Sequence, residues 1–264
     1  MSSDLAQHIK NTPLADTHEH LRSEQEYVEN SPDILQSLFD NYVASDLAVA
    51  GAPIAAVHAL IDGSDPDLRS RFAGVEAAWP AVAHTGFGEA VRIAARELYD
   101  IEEINIDTLE AAQPRHKFLC RPGQRLRLLR ERANLDHVQI DDFTVACLPD
   151  ISGPDFFLFD ISWNELCKGL PDVQLLAGET GIEIRDIASL QAVMESIFDQ
   201  HAAIAVAVKA QHAYERTLSW QERTEEEAAE ALATYLCDPG GSSEAVRLCL
   251  GDWCWARGVE LAIE

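Results

Sequence analysis

Apolar and polar residues recur with helical spacing through most of the first half of the chain. A short helix is expected over residues 3–10, and Asn11-Thr12-Pro13 then interrupts the pattern. Ser31-Pro32 has the residue types that favour the N-cap and first position of a helix. Further helices are predicted over residues 43–50, 53–61, 72–83, 86–99 and 107–112. These elements form a helical insertion, predicted over 22–117, within a single domain that spans 1–264.

Strands are expected where short apolar runs stand between turn residues. The first run begins at Leu14, directly before the helical segment. Three more runs alternate with predicted helices: strands over 137–141, 156–160 and 203–210, and helices over 123–133, 187–201, 224–237 and from Ser243 onward. Strands that alternate with helices form parallel sheets with right-handed crossovers.

The number of predicted strands is too small for a closed barrel. A (β/α)8 barrel takes ~250 residues before insertions, and the helical insertion uses a large share of the 264 residues here. The predicted fold class is therefore α/β, with the first half of a TIM-type (β/α)8 barrel and a large helical insertion after strand 1. The chain is expected to be truncated relative to a complete barrel enzyme.

The amino-acid composition limits the kinds of binding partner and the cellular compartment that are expected. The net charge is −25, from 45 acidic and 20 basic residues, which argues against nucleic acid and anionic membranes as partners. The 6 cysteines form no C-x-x-C pair and are expected to be free thiols in a reducing compartment. Neither a signal sequence nor an apolar run of ~20 residues is found, so the predicted location is cytoplasmic.

Two histidines end the first predicted strand at a spacing of two residues. Because side chains alternate across a strand, Asp16, His18 and His20 share one face. Two imidazoles on one face at a strand end can grip a single divalent ion. The alternative is that the pair is a surface accident, as most His-x-His sequences are.

A lysine ends the last predicted strand. Ala203, Ala205, Ala207 and Lys209 share one face, so the lysine follows small residues into confined space. A lysine in such a place usually has a partner or a chemical task. The alternative is a strand-end lysine whose stem lies on apolar surface while its ammonium group reaches water.

Both stretches resemble the amidohydrolase superfamily, whose first barrel strand ends in His-x-His. Asp16-Thr17-His18-Glu19-His20-Leu21 is similar to the amidohydrolase-related branch, which includes uronate isomerase-like and decarboxylase-like members. The segment from Lys209 to Arg216 also resembles that branch, where an Ala-Tyr-Arg signature follows a strand-end lysine. The resemblance implies a divalent ion, most simply Zn²⁺, held by His18 and His20. The family's remaining ligands, two histidines and an aspartate, come from later strands that this sequence does not contain.

The resemblance also implies roles for residues at the end of the last strand. Lys209 would be catalytic, either carbamylated and bridging two metals or in contact with the substrate. His212, Tyr214 and Arg216 lie in the following loop and would bind substrate, with Arg216 pairing with a carboxylate through its planar guanidinium. A loop held together by its own hydrogen bonds is the alternative for each of these three. Asp160, near another strand end, is either an acid–base group or a cap for the segment that follows.

Two functions are compatible with these patterns. The first is a metal-dependent, amidohydrolase-type enzyme that hydrolyses a small carbonyl- or carboxylate-containing substrate, with isomerisation or decarboxylation as variants. The second is a degenerate half barrel that acts as a non-catalytic binding or regulatory module. The first predicts a small-molecule substrate, and a homo-oligomer is compatible with both. The open edge of such a half barrel would need a binding partner.

Overall fold

The computed structural model describes residues 4–264, and its sheet is parallel throughout. The strands are β1 (Leu14–Glu19), β2 (Leu135–Ile140), β3 (Phe157–Ser162) and β4 (Ala207–Lys209). They lie side by side in chain order, β1-β2-β3-β4, with every neighbouring pair parallel. This confirms the predicted α/β fold, a four-stranded half barrel of TIM type.

Helices fill most of the remaining chain. In chain order they are α1 (Asp4–Asn11), α2 (Glu24–Asn30), α3 (Ile34–Phe39), α4 (Val43–Val49), α5 (Ile54–Ile61), α6 (Leu68–Ala73), α7 (Trp79–Val82), α8 (Gly86–Tyr99), α9 (Ile106–Leu119), α10 (Gln124–Arg127), α11 (Asn164–Lys168), α12 (Val173–Thr180), α13 (Ile187–His201), α14 (Glu225–Cys237) and α15 (Glu244–Ile263). None of the helices among residues 4–264 has both the length and the apolar character needed to cross a bilayer.

The chain divides into two compact units. The helical unit is Ser23–Leu128, and the half-barrel unit combines the residues up to Arg22 with Leu129–Glu264. The helical unit packs α3 to α9 around one apolar core that includes Phe39, Phe72 and Trp79. The helical unit thus has its own core, and the insertion limits of 22–117 stay a prediction.

Several helices begin or end away from their predicted positions. The helix predicted to open at Ser31-Pro32 starts at Ile34, because Asp33 accepts hydrogen bonds from the backbone nitrogens of Leu35 and Gln36 and is the N-cap. The single helix predicted over 72–83 is wrong: α6 ends at Ala73 and α7 covers only Trp79–Val82. The predicted cap at Asp107 is also wrong.

Asn105 caps α9, and the helix continues past the predicted end to Leu119. Pro114 lies inside it without stopping it.

In the half-barrel unit the helix ends follow the sequence more closely. Thr224 caps α14 and forms the predicted capping box with Glu227, and Ser243 caps α15. The strand predicted over 203–210 is shorter, because a turn after α13 occupies its first residues and β4 begins only at Ala207. The predicted helix over 123–133 forms as α10, followed by a π-helical turn over Leu128–Arg132.

Helix α15 packs closely on the segment that follows β3. The Trp163 indole nitrogen donates a hydrogen bond of 2.9 Å to the Cys254 carbonyl. A methyl group on Gly258 would lie 2.3 Å from the same indole nitrogen, so only glycine permits this approach. This contact holds the last helix against the end of β3, where the candidate site begins.

Candidate active site

Three predicted residues from the two edge strands meet at one point. His18 lies on β1 and His20 lies directly after its end, with ring centroids 4.8 Å apart. The Nζ atom of Lys209 on β4 lies 2.7 Å from the Nδ1 atom of His18. Three strand spacings in a flat sheet amount to ~14 Å, so this contact across the sheet reflects its barrel-like curvature together with the reach of the lysine.

Hydrogen bonds define which nitrogen of each imidazole carries the proton. The Asp141 carbonyl oxygen lies 2.6 Å from Nδ1 of His20. A carbonyl can only accept, so Nδ1 of His20 donates and its Nε2 keeps a lone pair. The ammonium of Lys209 can only donate, so Nδ1 of His18 accepts and its Nε2 carries the hydrogen. The two histidines are therefore in opposite tautomers.

Two buried carboxylates lie beside these residues. Asp141 is 1% exposed, and its Oδ2 accepts a 2.6 Å hydrogen bond from Nε2 of Gln211. Asp160 is 2% exposed, and its Oδ1 accepts a 2.8 Å hydrogen bond from Nε2 of Gln139. Burial raises the pKa of Asp160, while the hydrogen bond from Gln139 and the charges of Lys209 and His18 act in the opposite direction.

The loop after β4 places its three predicted residues differently. The Arg216 guanidinium donates to the Cys167 carbonyl at 3.0 Å and to Oδ1 of the buried Asp252 at 2.5 Å. Tyr214 is 86% exposed. His212 lines a cavity of about 280 Å³ that is also bordered by Arg216, Leu218, Trp220, Asp252 and Trp255. Burial lowers the pKa of His212, and the charge of Arg216 adds to the effect.

Comparison with known proteins was made at the level of sequence and of structure. No protein-family model matches the chain, and no curated protein matches it either. Its structure is similar to the uronate isomerase of Thermotoga maritima, with a TM-score of 0.72 and 15% sequence identity. The match covers 96% of this chain and 57% of that one. The chain therefore shares its fold with the matching part of that enzyme, a parallel α/β half barrel.

The resemblance of the His-x-His and Lys209 stretches to the amidohydrolase superfamily predicted this fold, and the fold is confirmed. The chain spans a little more than half of the uronate isomerase that it matches. At this level of identity the likeness concerns the architecture. The activity, metal and substrate of the chain are therefore matters for proposal.

The superfamily that the sequence resembles implies a metal, and the donors present fit part of one coordination shell. His20 offers the lone pair of Nε2, with its tautomer already set by the Asp141 carbonyl. The lone pair of His18 is at Nδ1, where the Lys209 ammonium lies. Both rings can bind one ion only after that ammonium moves or the His18 ring turns over. Residues 4–264 hold no group of three or more His, Cys, Asp or Glu side chains arranged to bind an ion.

Sequence reasoning missed part of the candidate site. Gln139, Asp141 and Gln211 were not singled out, although alternation places Gln139 and Asp141 on one face at the end of β2. Gln211 follows Lys209 by the same spacing of two. Phe143, whose ring stacks on the His20 imidazole with centroids 4.4 Å apart, was also missed, because its position depends on an unusual backbone angle that alternation does not reveal.

Proposed function

We propose that this chain carries the metal-binding and substrate-facing part of an amidohydrolase-type enzyme acting on a small carbonyl- or carboxylate-containing substrate. The observation that carries the proposal is the meeting of His18, His20 and Lys209 at the ends of parallel strands. Barrel enzymes keep their active sites at this end. Two imidazoles, an ammonium and two buried carboxylates in one place contribute little to a core, so their assembly supports a chemical use.

His18 and His20 would hold the divalent ion, and Zn²⁺ suits a pair of imidazoles. When bound, such an ion polarises a carbonyl oxygen or lowers the pKa of a water molecule toward ~7. Lys209 offers only donors and is suited to hold a substrate carboxylate once it leaves His18. Asp160, whose pKa is raised by burial, is suited to accept and return a proton.

Similarity to a uronate isomerase favours isomerisation over the hydrolysis expected from sequence. Isomerisation of a hydroxy-carbonyl compound moves a proton between neighbouring carbons, and a buried carboxylate beside a fixed cation is suited to that task. His212 and Tyr214 are proposed substrate contacts in the loop after β4. Arg216 is proposed as a third, although its guanidinium is already paired with Asp252 and would have to exchange partners.

Metal binding by the purified chain tests the proposal most directly. Titration calorimetry with Zn²⁺ is expected to show one site, weakened at least ~10-fold by His18→Ala or by His20→Ala. His58→Ala is the matched control, because His58 is an exposed histidine on α5 in the helical unit. Equal affinity in the wild type and in the His18→Ala, His20→Ala double variant would contradict the proposal.

Turnover separates the two reaction classes. The zinc-loaded chain is assayed with D-glucuronate for aldose–ketose conversion, and with a set of small amides and esters for hydrolysis. Conversion of the uronate that is lost in Asp160→Asn supports isomerisation. Cleavage of amides or esters, with the uronate unchanged, supports hydrolysis instead.

A non-catalytic binding module is the second candidate, and one observation favours it. No three-ligand metal group occurs within the part of the chain that the structure describes, and the edge strands of the sheet are open there. A half barrel that bound a partner through those edges would need neither ion nor substrate. Absence of Zn²⁺ binding combined with a folded, stable chain favours this second function.

A further inference from the structure

The second histidine of the pair is held from two directions by one short segment. The Asp141 carbonyl oxygen accepts from Nδ1 of His20 at 2.6 Å. The Phe143 ring stacks on the His20 imidazole, with centroids 4.4 Å apart and an interplanar angle of 13°. We call Asp141 and Phe143 the His20 clip. One member determines which nitrogen is protonated, and the other restricts the plane of the ring.

The backbone of the clip is in a conformation that its residue type disfavours. Phe143 has a φ angle of +64°, in the left-handed region that is unfavourable for a residue with a Cβ. The neighbouring Asp142 side chain does not stabilise this conformation of Phe143, because its carboxylate accepts hydrogen bonds from the backbone nitrogen and hydroxyl of Thr144 instead. A bulky aromatic residue in the left-handed region usually marks a local demand of function or turn geometry.

The Asp141 side chain holds that conformation in place. Its Oδ1 accepts a 3.0 Å hydrogen bond from the Phe143 backbone nitrogen, and its Oδ2 accepts from Gln211 in the loop after β4. Both carboxylate oxygens are thus used, and the side chain is fully buried. Phe143, by contrast, is 55% exposed, so burial alone gives little reason for the position of its ring.

We infer that Asp141 and Phe143 are positioning residues, which hold His20 as the Nδ1–H tautomer and direct its Nε2 lone pair into the site. The inference rests on the proposed function only for what Nε2 then binds. The clip itself is a property of this chain without metal or substrate. Water normally favours the Nε2–H tautomer of an exposed histidine, so the opposite tautomer at His20 is a measurable signature.

The test is long-range ¹⁵N–¹H NMR of the ¹⁵N-histidine-labelled chain at pH 8, above the ~6.5 at which free imidazole titrates. His20→Gln assigns the His20 signals by removing them. Wild-type His20 is expected to show a protonated Nδ1 and an unprotonated Nε2. Asp141→Ala and Phe143→Ala are each expected to shift His20 toward the Nε2–H tautomer.

Matched variants separate positioning from general damage. Asp141→Asn keeps an oxygen for the Phe143 nitrogen, and its amide can pair with Gln211 after that side chain turns over, so it is expected to restore the wild-type tautomer. Asp142→Ala changes the neighbouring carboxylate and is expected to leave His20 unchanged. Phe143→Ala removes a half-exposed ring and is expected to fold even if Asp141→Ala does not, which circular dichroism checks.

Four outcomes decide the matter. The inference is overturned if wild-type His20 is the Nε2–H tautomer, or if both Phe143→Ala and a folded Asp141→Ala keep the Nδ1–H tautomer. Loss of that tautomer together with a ~10–100-fold weaker affinity for Zn²⁺ supports both the clip and the proposed function. Loss of the tautomer in a chain that binds no Zn²⁺ supports the clip and removes the proposed metal.

Discussion

Buried polar groups in the core of the helical unit have different surroundings from those at the strand ends of the half-barrel unit. In the helical unit, Arg71 is 2% exposed and its guanidinium pairs with Asp33 and with three backbone carbonyls. His116 is 1% exposed and lies between the Tyr99 hydroxyl and the Pro32 carbonyl. In the half-barrel unit, the buried Asp141 and Asp160 lie at strand ends beside the histidines and the lysine.

This difference separates polar groups that complete a fold from polar groups that prepare a site. The partners of Arg71 and His116 belong to the same helical core and link its loops and helices. Asp160 instead keeps a carboxylate in a place where burial raises its pKa, at a cost to stability. The helical unit is therefore expected to respond to substitution through stability, and the strand ends through chemistry.

The largest expected effect tests the helical side of this comparison. Arg71→Met leaves the Asp33 carboxylate and three carbonyls without their buried donor, and should lower the free energy of unfolding by ~3–5 kcal/mol. The check is urea denaturation, with hydrogen exchange reporting on α3 and α6.

Arg69→Met is the control for that substitution. Its guanidinium pairs with Asp107 and Glu110 on the surface, and losing an exposed pair should cost ~1 kcal/mol or less. Equal losses of unfolding free energy in Arg71→Met and Arg69→Met would contradict the distinction between a buried ion pair and a surface ion pair.

A second substitution measures packing in the half-barrel unit. Gly258→Ala forces a methyl group against the Trp163 indole and should cost ~1–3 kcal/mol in thermal denaturation. Gly178→Ala on α12 has nothing within 4 Å of the added methyl group and should stabilise by ~0.4–1 kcal/mol. A neutral Gly258→Ala variant would mean that α15 is free to move away from the end of β3.

The smallest expected effect is a difference in pH dependence between the two units. Burial lowers the pKa of His116, so its contribution to stability is present above the unfolded value of ~6.5 and is lost as pH falls through the folded pKa. Burial raises the pKa of Asp160, so its contribution is most favourable below the unfolded value of 3.8 and is lost as pH rises through the folded pKa.

Substitutions that remove each titration should flatten opposite ends of the stability curve. His116→Gln should reduce the slope of unfolding free energy against pH just below ~6.5. Asp160→Asn should make the negative slope above 3.8 shallower, a change of opposite sign, and raise stability at neutral pH. The readout is the slope, since either substitution also shifts the curve as a whole. The same sign of change in both variants would contradict the contrast between the units.

Sequence patterns predicted the sheet and its chemistry where local rules decide the outcome. Alternation predicted β1 and predicted that His18 and His20 share one face of it. In the last strand it placed Lys209 on the face of small residues. The capping box at Thr224 was equally local. Elements whose limits depend on a competing cap, such as Asp33 for α3 and Asn105 for α9, were misplaced.

Contacts between distant segments could not be predicted in the same way. The carbonyl of Asp141 reaches His20 only because β1 and β2 are neighbours with a particular register. Arg216 pairs with Asp252 on α15, which lies 36 residues later in the chain. Such partners depend on tertiary packing, which residue types and spacing do not encode individually.

The open edges of the sheet also determine how copies of this chain behave in salt. Within residues 4–264, β1 has no buried residue, and Ile204 and Val206 beside β4 are about half exposed. A net charge of −25 keeps such copies apart while the Debye length is ~10 Å, at 0.1 M salt. At 1 M that length falls to ~3 Å and the repulsion is screened, while the strand edges are unchanged. We therefore expect light scattering to rise with ionic strength. Repulsion between the acidic surfaces would then be what keeps copies of this protein from associating at low salt.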